Sequence, residues 1–323
     1  MKLVQSAINP ITRRNYECGM RSFERFLASA ACPFNPSHSY NDPFLWACYV
    51  TWIGECGNIA DTARNYISGI QTLFSEAGVD LKPLRMPLVK RAIRGLRRDD
   101  TSKSAPKLPV TVSILTHVAS VVDFSKHRDR TLWAMMTLAT YGLLRCAELT
   151  QDPIEKRRFP LRRYWALAPD EILAHYFLPR SKADRNRDGT TIFVAANGSR
   201  TCPVAAVQNM LKNAPFSMRP TSPLFSFDGR RPITRYTFIK HTKFLLSLAG
   251  YDPDSYSGHS FRRGGAQTAF DSGLSTDEIQ VIVRWNNVDV AKVLWFTFHK
   301  LHSLSVRWQA RPSRPLRFEK LGW

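Results

Sequence analysis

The sequence lacks the features that mark membrane proteins and disulfide-rich proteins. It has six cysteines, none of which stand at CxxC spacing, and they lie among apolar residues. This pattern favours buried free thiols in a reducing compartment over disulfides or a zinc site. No run approaches the roughly 18 apolar residues of a membrane-spanning helix, and residues 1–5 do not begin a signal peptide. We therefore expect an intracellular protein, nuclear in a eukaryote, without a membrane segment, metal or cofactor.

Acidic residues are scarce relative to basic ones. The 323 residues include 46 lysines and arginines but 26 aspartates and glutamates, which gives a net charge of +20. A basic excess of this size is typical of proteins that bind a polyanion, most often nucleic acid. A basic protein with no nucleic-acid role is the alternative that charge alone leaves open.

The chain divides into two predicted domains that are joined by a polar segment. Residues 1–99 carry apolar side chains at helical spacing and are predicted to form a helical domain. Within it, the dipeptide that begins with Asp61 resembles the N-cap of a helix that Gly78 ends. Residues 100–109 contain two prolines and no periodicity, which is typical of a linker. Residues 110–323 form the second predicted domain, and the sequence has no internal repeat.

The second domain is predicted to be mainly helical with a small β-sheet. Apolar residues alternate at 171–178 and 190–194, which predicts the two strands of a hairpin around a polar segment. Helical periodicity precedes this hairpin and resumes after it, to about residue 300. The predicted fold class is thus mainly α with a small sheet, in which a helical domain precedes an α+β domain.

Residues 258–266 read Gly-His-Ser-Phe-Arg-Arg-Gly-Gly-Ala and concentrate cationic side chains. His259 and Arg262 stand at i and i+3, so both project from one face at the start of a predicted helix, where an anion is favoured. An isolated pair of this kind is more often structural. Gly264 and Gly265, however, suit close packing beneath a site better than a solvated face. We interpret the segment as a candidate phosphate-binding element.

Three further residues have the chemistry to contact a phosphate. Arg145 follows an apolar helix, and Glu148 lies three residues later, where its carboxylate can hold the guanidinium for bidentate contact. The alternative is a surface arginine that caps the preceding helix. Lys182 lies in the predicted hairpin loop and can donate a proton to a leaving oxygen, although a solvated lysine is the simpler interpretation. Trp285 can donate its indole N–H to a phosphate oxygen or pack in a core.

In order along the chain, these residues resemble the signature of the tyrosine recombinase (phage integrase) family. The matching segments are YGLLRCAEL (141–149), RSKAD (180–184), GHSFRRGGAQTAFDSG (258–273) and RWNN (284–287). The tryptophan in the last segment resembles the Cre-type variant. The resemblance implies a core-binding domain at 11–99, a catalytic-type domain after it, and double-stranded DNA as the partner. It also implies that Lys182 acts as general acid while the scissile phosphate is held by Arg145, His259, Arg262 and Trp285.

One part of the family pattern is missing from this sequence. The nucleophilic tyrosine is expected nine residues after Trp285, where this sequence has Leu294, and no tyrosine follows Tyr256. Because leucine cannot be a nucleophile, we expect a mobile-element type of protein that clamps duplex DNA without cleaving it. Two alternatives stay open: an active recombinase with an unrecognised nucleophile, and a basic protein-interaction scaffold on the same fold. The resemblance also implies self-association on DNA through the C-terminal tail.

Overall fold

The structure is a computed structural model that describes residues 8–31, 34–35, 39–99, 106–169, 171–179 and 188–282. It divides into two compact units, Met1–Ala105 (unit 1) and Pro106–Trp323 (unit 2), each with its own hydrophobic core. Within the described ranges, none of the helices combines the length and apolar character that crossing a bilayer demands. The two units are considered separately below.

The described part of unit 1 is helical. Its aromatic core includes Phe23, which stacks on Trp46 with 4.6 Å between ring centroids. Two of its helices begin with proline directly after a capping residue. The caps are Asn9 and Asp42, whose side chains each accept a hydrogen bond from the backbone N–H two residues later. The helices are α1 (Pro10–Ser29), α2 (Pro43–Glu55), α3 (Ala60–Glu76) and α4 (Pro87–Asp99), with a 3-10 turn at Pro83–Arg85.

The predicted N-cap at Asp61 is wrong. Helix α3 begins at Ala60, and its N-cap residue, Ile59, has no side chain that can accept a hydrogen bond. Asp61 instead lies in the first turn, where the helix dipole favours a carboxylate, and it pairs with Arg97 at 2.5 Å. Gly78 does follow the end of α3, with a φ of 84° that suits glycine.

Helices α1 and α3 approach each other closely at two glycines. A Cβ at Gly19 would lie 2.9 Å from the carbonyl oxygen of Tyr66. On the other helix, a Cβ at Gly69 would lie 2.8 Å from the Cα of Tyr16. Each glycine thus receives the backbone of the opposite helix, so neither position has room for a larger residue.

Unit 2 is mainly helical with a three-stranded antiparallel sheet, which confirms the predicted fold class. The strands pair in the order β1-β2-β3, and the predicted hairpin corresponds to the last two of them. In chain order the elements are α5 (Val112–Val121), α6 (His127–Tyr141), α7 (Cys146–Leu149), β1 (Trp165–Leu167), β2 (Leu173–Leu178), β3 (Thr190–Ala195), α8 (Pro203–Lys212), α9 (Arg235–Leu248), α10 (Ser260–Asp271) and α11 (Thr276–Ile282).

Helix α6 lies at the centre of unit 2, because every residue from 131 to 140 is buried. A helix that is buried on all sides must satisfy its polar side chains internally. Thr137 and Thr140 do so, since each hydroxyl donates to the carbonyl four residues earlier, at 3.0 Å. The end of the predicted linker packs on this unit as well, where the Leu108 N–H donates to the Ser255 carbonyl at 2.7 Å.

We expect Gly69→Ala to destabilise unit 1 by about 1–3 kcal/mol, the usual cost of overpacking, because the new methyl group would meet backbone atoms of Tyr16. Hydrogen exchange of α1 and α3 peptides, measured by mass spectrometry, should become faster. Gly95→Ala is the matched control: it adds the same methyl group inside α4 with nothing within 4 Å. The control should be stabilising by about 0.5–1 kcal/mol. Unchanged exchange in the Gly69 variant would contradict the close α1–α3 contact.

Candidate phosphate-binding site

The chain reverses direction at the end of α6 in a strained turn. The Leu144 N–H donates to the Ala139 carbonyl at 2.9 Å, which satisfies one of the last carbonyls of the helix. Between them, Leu143 has a φ of 48°, a left-handed conformation that non-glycine residues rarely adopt. The Leu143 carbonyl accepts a hydrogen bond from Nη1 of Arg262 at 2.8 Å. The strained residue therefore connects this turn directly to α10.

Arg145 follows this turn and is held by Glu148, as the sequence predicts. The backbone N–H of Arg145 donates to Oε2 of Glu148 at 2.8 Å, and its Nη1 donates to Oε1 at 3.1 Å. The alternative was a cap on the last carbonyls of α6, but the side chain of Arg145 donates to Glu148 instead. The carboxylate is almost fully buried, with 6% of its side chain exposed, against 19% for Arg145. The hydroxyl of Tyr176 donates to the Glu148 carbonyl at 2.7 Å, which connects α7 to strand β2.

Helix α10 rests directly on backbone atoms of neighbouring segments. A Cβ at Gly264 would collide with the carbonyl oxygen of Val110, and one at Gly265 would collide with that of Thr140. The prediction that these glycines permit close packing beneath the site is confirmed. Because Thr140 lies at the end of α6, this contact sets the distance between α10 and the turn that carries Leu143.

The glycine that precedes His259 packs against the residue that follows Arg145. A Cβ at Gly258 would lie 3.1 Å from the Cβ of Cys146, the residue after Arg145. His259 itself is exposed and is the N-cap residue of α10. The backbone segments that carry Arg145, His259 and Arg262 thus meet at one edge of unit 2. The other predicted site residues, Lys182, Trp285 and Leu294, lie outside the described residues.

The two buried groups nearest this edge that could act as nucleophiles are held in their neutral forms. Burial raises the pKa of the Cys146 thiol to about 11, although nearby Arg235 acts in the opposite direction. Burial also raises the pKa of the Tyr256 hydroxyl above its ordinary value. Both side chains are buried, at 4% and 5% exposure. The edge therefore offers hydrogen-bond donors to an anion, while neither of these two groups is activated for attack.

Two contacts of this site could not be found by sequence reasoning. A left-handed leucine has no sequence signature, so the Leu143 carbonyl was not a candidate partner for Arg262. The Gly258–Cys146 contact joins residues far apart in the chain, and a single glycine between serine and histidine signals only a loop. In the described ranges, no group of three or more histidine, cysteine and acidic side chains is arranged to hold a metal ion.

Solved structures of similar fold are DNA recombinases and integrases. A lambda integrase dimer bound to a COC′ core site matches with a TM-score of 0.57 at 14% identity, over 95% of this chain and 94% of that one. The Tn1549 transposon integrase in complex with transposon right end DNA matches at 0.54 and 17% identity, over 90% and 92%. XerH bound to a palindromic difH substrate matches at 0.57 and 11% identity, over 90% and 78%. At these identities the likeness establishes the fold alone.

No protein-family model matches the sequence. A curated relative, the integrase/recombinase xerD homolog of Selenomonas ruminantium, is 27% identical over 238 residues. The chain is thus similar in sequence and in fold to recombinases and integrases of the tyrosine recombinase family. The matched region covers 68% of this chain and 64% of the relative, so it spans less than two thirds of that recombinase. The family resemblance drawn from the four sequence segments is therefore confirmed, while the roles of individual residues stay predictions.

We expect Cys146 to resist alkylation in the folded protein at pH 8. With its pKa raised to about 11, only about one thiol in a thousand is ionised at that pH, and the thiolate is the reactive form. Cys48 and Cys56 are exposed and serve as internal controls. Peptide mass spectrometry after treatment with N-ethylmaleimide should show these two modified and Cys146 intact until urea is added. Reaction of Cys146 at the rate of Cys48 would show that the segment next to Arg145 is open.

Proposed function

We propose that this chain binds double-stranded DNA for site-specific recombination or integration and holds one phosphodiester at Arg145, His259 and Arg262. The observation that carries the proposal is the convergence of the two arginines, which come from separate helices but meet at the turn after α6. The DNA-bound state of the lambda, Tn1549 and XerH recombinases supports duplex DNA as the ligand. The net charge of +20 favours the same partner.

The arginines fit a phosphate because their positions are fixed before the ligand arrives. Glu148 occupies one edge of the Arg145 guanidinium, and a guanidinium has five N–H donors, so others stay available for phosphate oxygens. Arg262 is likewise oriented by the Leu143 carbonyl. His259 at the start of α10 adds a donor where the helix dipole favours an anion. In the proposed site Trp285 is a further hydrogen-bond donor to the phosphate, and Lys182 holds the position that the family resemblance gives to the general acid.

The proposal includes the absence of strand cleavage. Leu294 stands where the family has its tyrosine, and the buried Tyr256 has a raised pKa that opposes ionisation. The protein is thus a pseudoenzyme of mobile-element type that recognises and clamps DNA, with self-association through its C-terminal tail. An active recombinase with another nucleophile is the second candidate, favoured by the intact set of phosphate-binding residues in the sequence.

Arg145→Ala and Arg262→Ala should each weaken binding to duplex DNA by about 1.5–3 kcal/mol, the range for hydrogen bonds to charged groups. The duplex is one selected by the wild-type chain from a random pool, and affinity is measured by titration at fixed salt. Arg263→Ala is the matched control, since it removes the same charge from the next residue, whose guanidinium donates to the Lys107 carbonyl. Equal losses in all three variants would mean that only net charge matters and that no phosphate pocket exists at this edge.

We expect no covalent adduct between the unmodified chain and a nicked duplex that contains its binding site. The physical reason is that Leu294 has no hydroxyl and that, among the described residues, Cys146 and Tyr256 are buried with raised pKa values. Denaturing gels and mass spectrometry provide the measurement, with an active recombinase on its own site as the positive control. An adduct mapped to any residue would establish the second candidate function. Absence of salt-dependent duplex binding would instead favour the protein-interaction scaffold.

A further inference from the structure

A third arginine, Arg235, lies beside the phosphate-binding edge. It is the first residue of α9, whose N-cap hydroxyl on Thr234 accepts from the Thr237 N–H at 3.1 Å. The start of this helix is attached to the segment that follows α7, because the Gln151 N–H donates to the Ile233 carbonyl at 2.8 Å. The backbone of Arg235 is therefore fixed relative to the short helix that begins just after Arg145.

The packing of α9 places the Arg235 side chain next to Cys146. Ile239 lies one turn after Arg235 on the same helix face, and its Cδ1 would be 3.3 Å from a Cβ at Gly258. The same Cβ would be 3.1 Å from the Cβ of Cys146, so α9, α7 and the loop before His259 meet at this point. The positive charge of Arg235 lies close enough to the Cys146 thiol to oppose the rise of its pKa. Arg235 nonetheless remains exposed to solvent.

The charge of Arg235 is not compensated by this contact. No carboxylate within the described ranges forms an ion pair with it, whereas Arg145 has Glu148 and Arg231 has Asp228. The Cys146 thiol is neutral at physiological pH and is only a weak acceptor. A positive charge that is fixed in place and open to solvent is suited to an anion.

We infer that Arg235 binds a second DNA phosphate, adjacent to the one held by Arg145, His259 and Arg262. The inference rests on the proposed function. A phosphodiester has two non-bridging oxygens, and the three residues of the first site offer enough N–H donors to satisfy both. Arg235 belongs to a different helix, which packs against the Gly258–Cys146 contact, so its charge is assigned to the next phosphate of the strand rather than to the same one.

The test is Arg235→Ala in the full chain, with binding to the selected duplex titrated at several salt concentrations. The log–log salt slope should become shallower by about 0.9, the value for one phosphate contact, with a roughly tenfold loss of affinity. Ethylation interference should lose one sensitive phosphate and keep the adjacent one that depends on Arg145. Arg235→Lys should restore the slope because it restores the charge. Arg231→Ala is the control: this residue, four positions earlier, is already 3.7 Å from Asp228.

The outcomes separate the inference from the proposed function. A wild-type chain without salt-dependent duplex binding would overturn the proposed function. If the wild type binds and Arg145→Ala weakens it, but Arg235→Ala keeps the wild-type slope and interference pattern, the inference alone is wrong. Folding is checked by the melting temperature, which should stay unchanged because Arg235 is exposed. Should the alanine variant melt early, Arg235→Gln decides, because it removes the charge and keeps most of the side chain: a slope shallower by about 0.9 supports the contact, and a slope equal to the wild type contradicts it.

Discussion

The direct contact of α10 with two backbone carbonyls, those of Val110 and Thr140, is the constraint on which the candidate site depends. Only glycine fits at positions 264 and 265, because any side chain would move the helix away from both segments. Such a shift would also separate Arg262 from the Leu143 carbonyl. A site that needs its donors held within a fraction of an ångström is better placed on such rigid helix contacts than on loops.

The strain at Leu143 is small compared with the interactions that maintain it. A left-handed conformation costs a non-glycine residue about 1–2 kcal/mol. The hydrogen bond from the charged Arg262 contributes about 1.5–3 kcal/mol, and the leucine side chain is buried, with 3% exposed. The conformation is therefore stable only when α10 is docked. In turn, the docked arginine is oriented by a carbonyl that a regular helix end would not present.

Local contacts were predictable from the sequence, and contacts between distant segments were not. The Arg145–Glu148 pair follows from a spacing of three residues, and it forms as a capping box in which Arg145 precedes the short helix. The prediction of an N-cap at Asp61 was wrong because the backbone, and not the side chain alone, decides where a helix begins. Strand β1 has only three residues, Trp165–Leu167, which is too short for alternation to be recognised. No sequence motif indicated Arg235, since its inferred role depends on the packing of α9 against the Gly258–Cys146 contact.

Under the proposed function, the chain has a phosphate pocket without a nucleophile, and this changes what the donors of the pocket accomplish. In an active enzyme, donors aimed at a phosphodiester accelerate the reaction only to the extent that they bind the transition state more tightly than the ground state. Under the proposed function there is no transition state to stabilise, so all of the binding energy of Arg145 and Arg262 appears as affinity for intact DNA. Burial raises the pKa of both Cys146 and Tyr256, which opposes their use as nucleophiles. Under the proposed function, the donors of Arg145 and Arg262 therefore serve to fix the register of the protein on its DNA.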